Sequence, residues 1–206
     1  MRPLIKICGI KMASEAASVA ALAVDFLGVI FAKSLRQVGM KTAREIAHIA
    51  HENGKLCVGV FAGQSECEIM EICEFAGLDA AQIYDEPSEN LHANLKDLGV
   101  QIWRVFSVKD ELPKLDFRHY DLPLFDCKGE NLGGNGVKFN WEILRGVKPF
   151  SFALAGGIGE DNVLEAIKFK PKILDINSRV EDENLMKIPS KIERILGLIN
   201  IALAEH

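Results

Sequence analysis

The chain reads as an α/β protein, a single-domain (β/α)8 TIM barrel over residues 1–206 with a shortened or irregular fifth helix. Three observations carry that expectation. Short apolar runs recur eight times, at 4–8, 26–31, 56–61, 79–83, 100–105, 122–126, 151–155 and 173–177. Most are apolar almost without interruption, as strands buried on both faces of a parallel sheet must be. Helical patterns separate most of them, and no linker or shift in composition divides the chain. At about 26 residues per unit, each repeat has room for a strand, a helix and two tight loops. An open doubly wound sheet usually holds about five or six strands, so eight runs favour closure.

The elements justify themselves in order. LIKIC at 4–8 is the first strand, followed at once by Gly9. TAREIAHIAHEN at 42–53 puts Ala43, Ile46, Ala47 and Ala50 on one helical face, with Gly54 as its stop. Thr42 with Glu45, Ser65 with Glu68, and Ser190 with Glu193 have capping-box spacing. Gly77 and Gly99 suit left-handed helix ends. The weakest unit is 107–121, where SVKDELPKLDFRHYD predicts at most a short helix interrupted by Pro113. Later, FALAGGIGEDNVLEAIKF reads as strand, glycine turn and helix.

Composition narrows the function. A net charge of −5 gives no footprint for nucleic acid. No apolar run approaches the roughly 18 residues of a membrane span, and MRPLIKICGI is too interrupted for an export signal. A cytoplasmic location is expected. The five cysteines form neither a CxxC pair nor a Cys/His zinc spacing, so reduced thiols and no metal are expected. The five histidines end no strand.

In a barrel, side chains at the C-terminal strand ends surround the active site. Strand alternation puts Leu4, Lys6 and Cys8 on one face, and Leu122, Leu124 and Asp126 on another. If both faces point inward, a thiol and a carboxyl look across one mouth as candidate base and acid. Lys6, one layer below Cys8, would favour the thiolate, and burial of Asp126 would keep a proton available. The bland alternative is a buried cysteine and a strand-ending aspartate. Gly156, Gly157 and Gly159, with Asn177, Ser178 and Arg179 in the following unit, suit a phosphate held by backbone N–H groups and a helix N-terminus. Lys33, Ser34 and Arg36 follow the second strand, where Arg36 could clamp a carboxylate. The glycine-rich stretch 126–136, with Gly129, Gly133, Gly134 and Gly136, is a candidate lid.

Taken together, KICGIK, FLGVIFAKSLR, VGVF, the aspartate followed by GGNG and FNW, AGGIGEDNV and LDINSRVED occur in this order through nearly the whole chain. In this combination the chain resembles the phosphoribosylanthranilate isomerases of tryptophan biosynthesis. The resemblance implies a (β/α)8 barrel that converts N-(5-phospho-D-ribosyl)anthranilate to 1-(2-carboxyphenylamino)-1-deoxy-D-ribulose 5-phosphate by an Amadori rearrangement. It implies no cofactor and no metal; the partner is the small phosphosugar-anthranilate substrate, with a monomer expected. It assigns Cys8 as general base, Asp126 as general acid and Arg36 as holder of the anthranilate carboxylate. Gly156, Gly157, Ser178 and Arg179 become phosphate ligands, with Lys6 and Gln82 also substrate-binding. The family's S-P-R, Q-L-H-G and S-G-V-E segments become Ser34-Leu35-Arg36, Gln82-Ile83-Tyr84-Asp85 and Ser178-Arg179-Val180-Glu181. A sister isomerase of histidine biosynthesis is the alternative, but its duplicated halves each carry a phosphate turn, and VFAG after the third run offers none. A non-catalytic anion-binding barrel would need neither Cys8 nor Asp126.

Overall fold

The computed structural model describes residues 1–109, 111–116, 118–127 and 140–204. Eight parallel strands close a barrel in sequence order: β1 (Leu4–Cys8), β2 (Phe26–Ile30), β3 (Leu56–Phe61), β4 (Ala80–Ile83), β5 (Gln101–Val108), β6 (Leu122–Cys127), β7 (Ala153–Leu154) and β8 (Ile173–Ile176). β1 completes the ring by pairing with β8 from Leu4↔Ile173 to Ile7↔Ile176. The outer shell contains α1 (Ala13–Ala20), α2 (Met40–Glu52), α3 (Glu66–Ala76), α4 (Glu89–Asp97), α5 (Val163–Ala166) and α6 (Pro189–Ala204).

Alternation along the strands sorts the apolar residues into two cores. Inside the barrel, Phe26, Val58, Trp103, Leu122, Leu124, Ala153 and Ile173 fill the lower layers, with Phe26 meeting Trp103 edge-on at 5.0 Å. Their neighbours Ile5, Leu27, Ile102, Phe125, Leu154 and Leu174 face outward against helical residues such as Val19, Ile46 and Ile195. The interior is therefore packed below and polar only near its C-terminal end.

Four local expectations need correction. β5 runs on to Val108, paired to Cys127, so 107–108 extend a strand where a short helix was expected. The unbroken run of β6 gives that strand a partner, and the described residues between 109 and 121 hold no helix. Thr42 caps nothing: α2 already begins at Met40 after an extended Gly39, which puts Thr42 inside the first turn. Ser190 is likewise displaced, because Pro189 occupies the first position of α6, where its missing N–H costs nothing. β7 has only two residues, bounded by Phe150 at φ 58° and Gly156 at φ 91°. The helix after it is correspondingly short. By contrast, Ser65 and Glu68 form the reciprocal capping box, and Gly77 ends α3 at φ 66°.

At the opposite end from the mouth, three aspartates repeat one contact. Asp25, Asp79 and Asp121 each stand just before an even-numbered strand. Each accepts, at 2.7 Å, the backbone N–H of the second residue of the preceding odd strand: Ile5, Cys57 and Ile102. A charge-assisted bond of this kind contributes about 1.5–3 kcal/mol. Asp79→Ala should lower the unfolding free energy by about 1–3 kcal/mol in a denaturant titration while leaving turnover unchanged, because the contact is a full strand length from the mouth.

Candidate active site

The inward faces of β1, β4, β6 and β8 build the polar end of the barrel. At its floor, Lys6 Nζ donates to Asp175 Oδ2 and to Gln82 Oε1, both at 2.8 Å, and Lys6 has 0% exposure. The lysine stays charged: burial works against the ammonium, but Asp175 and then Cys8 outweigh it. Cys8 lies one layer above on the same face of β1, itself buried. Room for both comes from Gly28 on β2, since a Cβ there would stand 3.0 Å from Cys8 Sγ and Lys6 Cε. Burial pushes the Cys8 thiol up; Lys6 pulls it back, Asp175 opposes Lys6, and the thiol remains above its ordinary range. The thiolate bias expected from Lys6 is therefore outweighed, chiefly by burial and further by Asp175.

Asp126, at the inward end of β6, is also buried. Its Oδ2 accepts from the Tyr84 hydroxyl at 2.9 Å and its Oδ1 from the Cys127 N–H at 2.8 Å. Burial raises its carboxyl to about 6, with Tyr84 pulling the other way. The Tyr84 ring packs in the same small cluster as Cys8, Ile30 and Val60, so thiol and carboxyl border one opening. Cys127 instead packs against the outer core, and Cys57 and Cys73 are buried away from the mouth. All five thiols are free.

The glycine turn adjoins the carboxyl. A Cβ at Gly156 would stand 3.0 Å from Cys127 N and 3.2 Å from Asp126 Oδ1, so only glycine leaves the carboxyl undisturbed. Beyond Gly157, Asn162 ties the turn by donating to Gly157 O and accepting from Gly159 N, both at 2.9 Å. The 3-10 turn Ser178–Val180 lies alongside, its Arg179 stem against Gly159. The Arg179 guanidinium reaches Asp161 at 3.4 Å, in an outer recess shared with Glu160, Lys191 and Arg194. The aliphatic stem of Arg179 thus meets the neighbouring turn while its guanidinium points to Asp161. With only four residues in α5, the helix dipole expected behind Gly156 is short.

Arg36 passes over Gly9, next to Cys8, but its fork is occupied. Nε and Nη2 bind the two carboxylate oxygens of Glu181 at 2.8 and 2.6 Å. Lys187 Nζ bonds the same carboxylate at 2.5 Å and Asn177 Oδ1 at 2.8 Å. Burial pushes Glu181 up, yet Arg36 and Lys187 together hold it below the usual carboxylate range. Two cations against one anion leave this side of the mouth positive. Among the described residues, no group of three or more His, Cys, Asp or Glu could hold a metal ion, and no helix is long and apolar enough to cross a membrane. The candidate lid lies, apart from Asp126 and Cys127, outside the described residues.

Residues 5–196 match the family described as N-(5'phosphoribosyl)anthranilate (PRA) isomerase. The chain belongs to that family. It is 44% identical to the N-(5'-phosphoribosyl)anthranilate isomerase of Campylobacter jejuni, an alignment covering 93% of this chain and 96% of the relative. The isomerase of Thermoanaerobacter pseudethanolicus is 32% identical, with 94% and 98% covered. Among solved structures, phosphoribosyl anthranilate isomerase from Thermus thermophilus superposes with a TM-score of 0.81 at 25% identity, over 97% of this chain and 99% of that one. The chain is thus an isomerase of tryptophan biosynthesis built as a (β/α)8 barrel.

Against that family, the geometry brings Cys8, Asp126, Lys6, Gln82 and the Gly156-Gly157 turn to one end of the barrel, and places Arg36 at its edge. Four participants carry no role on sequence grounds. Asp175 was legible in principle, since ILDIN alternates Ile173, Asp175 and Asn177 on one face. Glu181 and Lys187 gave no periodic signal, because they belong to an irregular segment whose partners include Arg36 in the β2 loop and Glu15 on α1. Tyr84 stood out as a departure from Q-L-H-G without a partner. Replacing Lys6 by Met should strand the Asp175 carboxylate in a buried site and cost about 3–5 kcal/mol of stability, measured by denaturant unfolding.

Proposed function

We propose that Cys8 and Asp126 are the base and acid of an Amadori rearrangement of N-(5-phospho-D-ribosyl)anthranilate. The observation that carries this reading is the buried thiol and carboxyl at two inward strand ends of one mouth, with the Gly156 turn against the carboxyl. Asp126 in its protonated form donates to the furanose ring oxygen. The ring C–O bond breaks as the anthranilate nitrogen's lone pair moves in, forming an iminium. Cys8 as thiolate then takes the C2 proton, and the electron pair left behind forms the enolamine, which tautomerises to the ketone. The backbone of Gly156, Gly157, Ser178 and Arg179 holds the phosphate. Lys6 and Gln82 bind substrate from below by fixing the floor of the mouth.

Arg36 receives the anthranilate carboxylate through the donors that Glu181 leaves open, and Lys187 adds to the positive potential there. Every group this scheme needs comes from one chain, so a monomer suffices. Five free thiols favour the cytoplasm.

The direct test is the loss of phosphoribosylanthranilate fluorescence on adding purified protein; no loss would sink the reading. Cys8→Ala and Asp126→Asn should each lower kcat by at least about a hundredfold with little change in unfolding midpoint. Arg36→Ala should raise KM by about tenfold with a smaller effect on kcat, and an unchanged KM would remove Arg36 from the carboxylate site. The two groups also fix a pH dependence. With the acid at about 6 and the base above its ordinary range, the form bearing a thiolate and a protonated carboxyl is a minor one at every pH. Its population rises with pH up to about 6, stays level, and falls only once Cys8 titrates. The profile of kcat/KM should therefore be a broad bell with its acid limb near 6.

A further inference from the structure

Tyr84 stands where Q-L-H-G places histidine, and the structure gives it a specific contact. The carboxyl of Asp126 is gripped at both oxygens, by the Tyr84 hydroxyl on Oδ2 and by the Cys127 N–H on Oδ1. Two donors on the two oxygens fix the carboxyl plane, so rotation about its terminal bond would break one of them. The phenol ring is itself tethered by its packing in the cluster of Cys8, Ile30 and Val60. We infer that Tyr84 is a positioning residue for the acid, holding the Asp126 carboxyl in one orientation toward the mouth. The inference rests on the assignment of Asp126 as general acid.

The surroundings say which way the carboxyl responds. Facing it are Tyr84 after β4, Lys6 on β1 and Asp175 on β8, while Cys8 bears on the Tyr84 phenol; its register partner Ser107 on β5 and Gly156 after β7 carry no charge. A hydroxyl donating to the carboxylate favours the ionised form, against burial and the Asp175 charge. Burial and the Asp126 charge keep the Tyr84 phenol well above its ordinary range, so it remains a donor throughout the working pH. Without that hydroxyl the carboxyl holds its proton more tightly, which weakens it as an acid but enlarges its protonated fraction. The two oppose each other, so the loss of kcat comes from the freed orientation of the carboxyl.

Tyr84→Phe removes one oxygen and keeps the ring. In the full chain labelled with 13C at aspartate carboxyls, the Asp126 titration midpoint should rise by about one unit. The acid limb of kcat/KM should move up with it. At saturating substrate kcat should fall by about threefold to tenfold, with KM changed by less than about twofold. Tyr84→His, which keeps a ring N–H donor, should recover part of the midpoint and of kcat. An unmoved midpoint in Tyr84→Phe, or an unchanged kcat, overturns the inference. Failure of the underlying assignment has a different signature: Asp126→Asn would keep turnover, and Tyr84→Phe would shift the carboxyl midpoint while kcat stayed put.

Discussion

The ion pair between Lys6 and Asp175 holds the chemistry of this barrel in place. It closes the ring electrically where β1 and β8 close it by hydrogen bonds, and Gln82 adds a third strand to the same ammonium. Such a pair is costly to desolvate and is more an organiser than a stabiliser. Below it the interior is apolar and fully packed. Above it lie a thiol and a carboxyl whose proton affinities are both raised by burial. Moving the pair would alter the field at both groups together, because Lys6 and Asp175 act on each of them.

The same layering explains why neither group is tuned by a single neighbour. Burial favours the uncharged Cys8 thiol; Lys6 attracts negative charge onto it, and Asp175 opposes Lys6. At Asp126 too, burial retains the proton, while Tyr84 and the Cys127 N–H make that proton easier to release. On the opposite rim, Glu181 draws Arg36 and Lys187 together and leaves a surplus positive charge beside the thiol. The mouth is thus divided into a neutral floor, a cationic edge and a glycine-lined turn.

Much of the fold was legible because parallel strands buried on both faces write themselves as apolar runs, and all eight runs correspond to strands. Alternation within LIKIC put Lys6 with Cys8 on one face, and within LPLFD put Leu124 with Asp126; the closed barrel turns both faces inward. The errors came where tertiary contacts override local pattern. β5 lengthened because β6 offered a partner through Cys127, and Thr42 lost its capping position because α2 starts earlier. The site was half readable. Strand residues follow a period, whereas Glu181 meets Arg36 across 145 positions of sequence with Lys187 on the same carboxylate, and nothing local announces that meeting. Arg36 was recognised as a cation, but not as one already engaged.

The aspartate clasps at the base of the barrel divide it into couples: β1 with β2, β3 with β4, and β5 with β6. The last couple lacks this device, since Lys172 stands before β8. Each clasp anchors a strand to the one before it without reference to the remainder of the ring. A chain severed between β4 and β5 would keep every clasp within one fragment, whereas a cut between β3 and β4 would orphan Asp79 from Cys57. The barrel is therefore modular in twos at its foot, and halves made by respecting that division are the ones suited to reassemble.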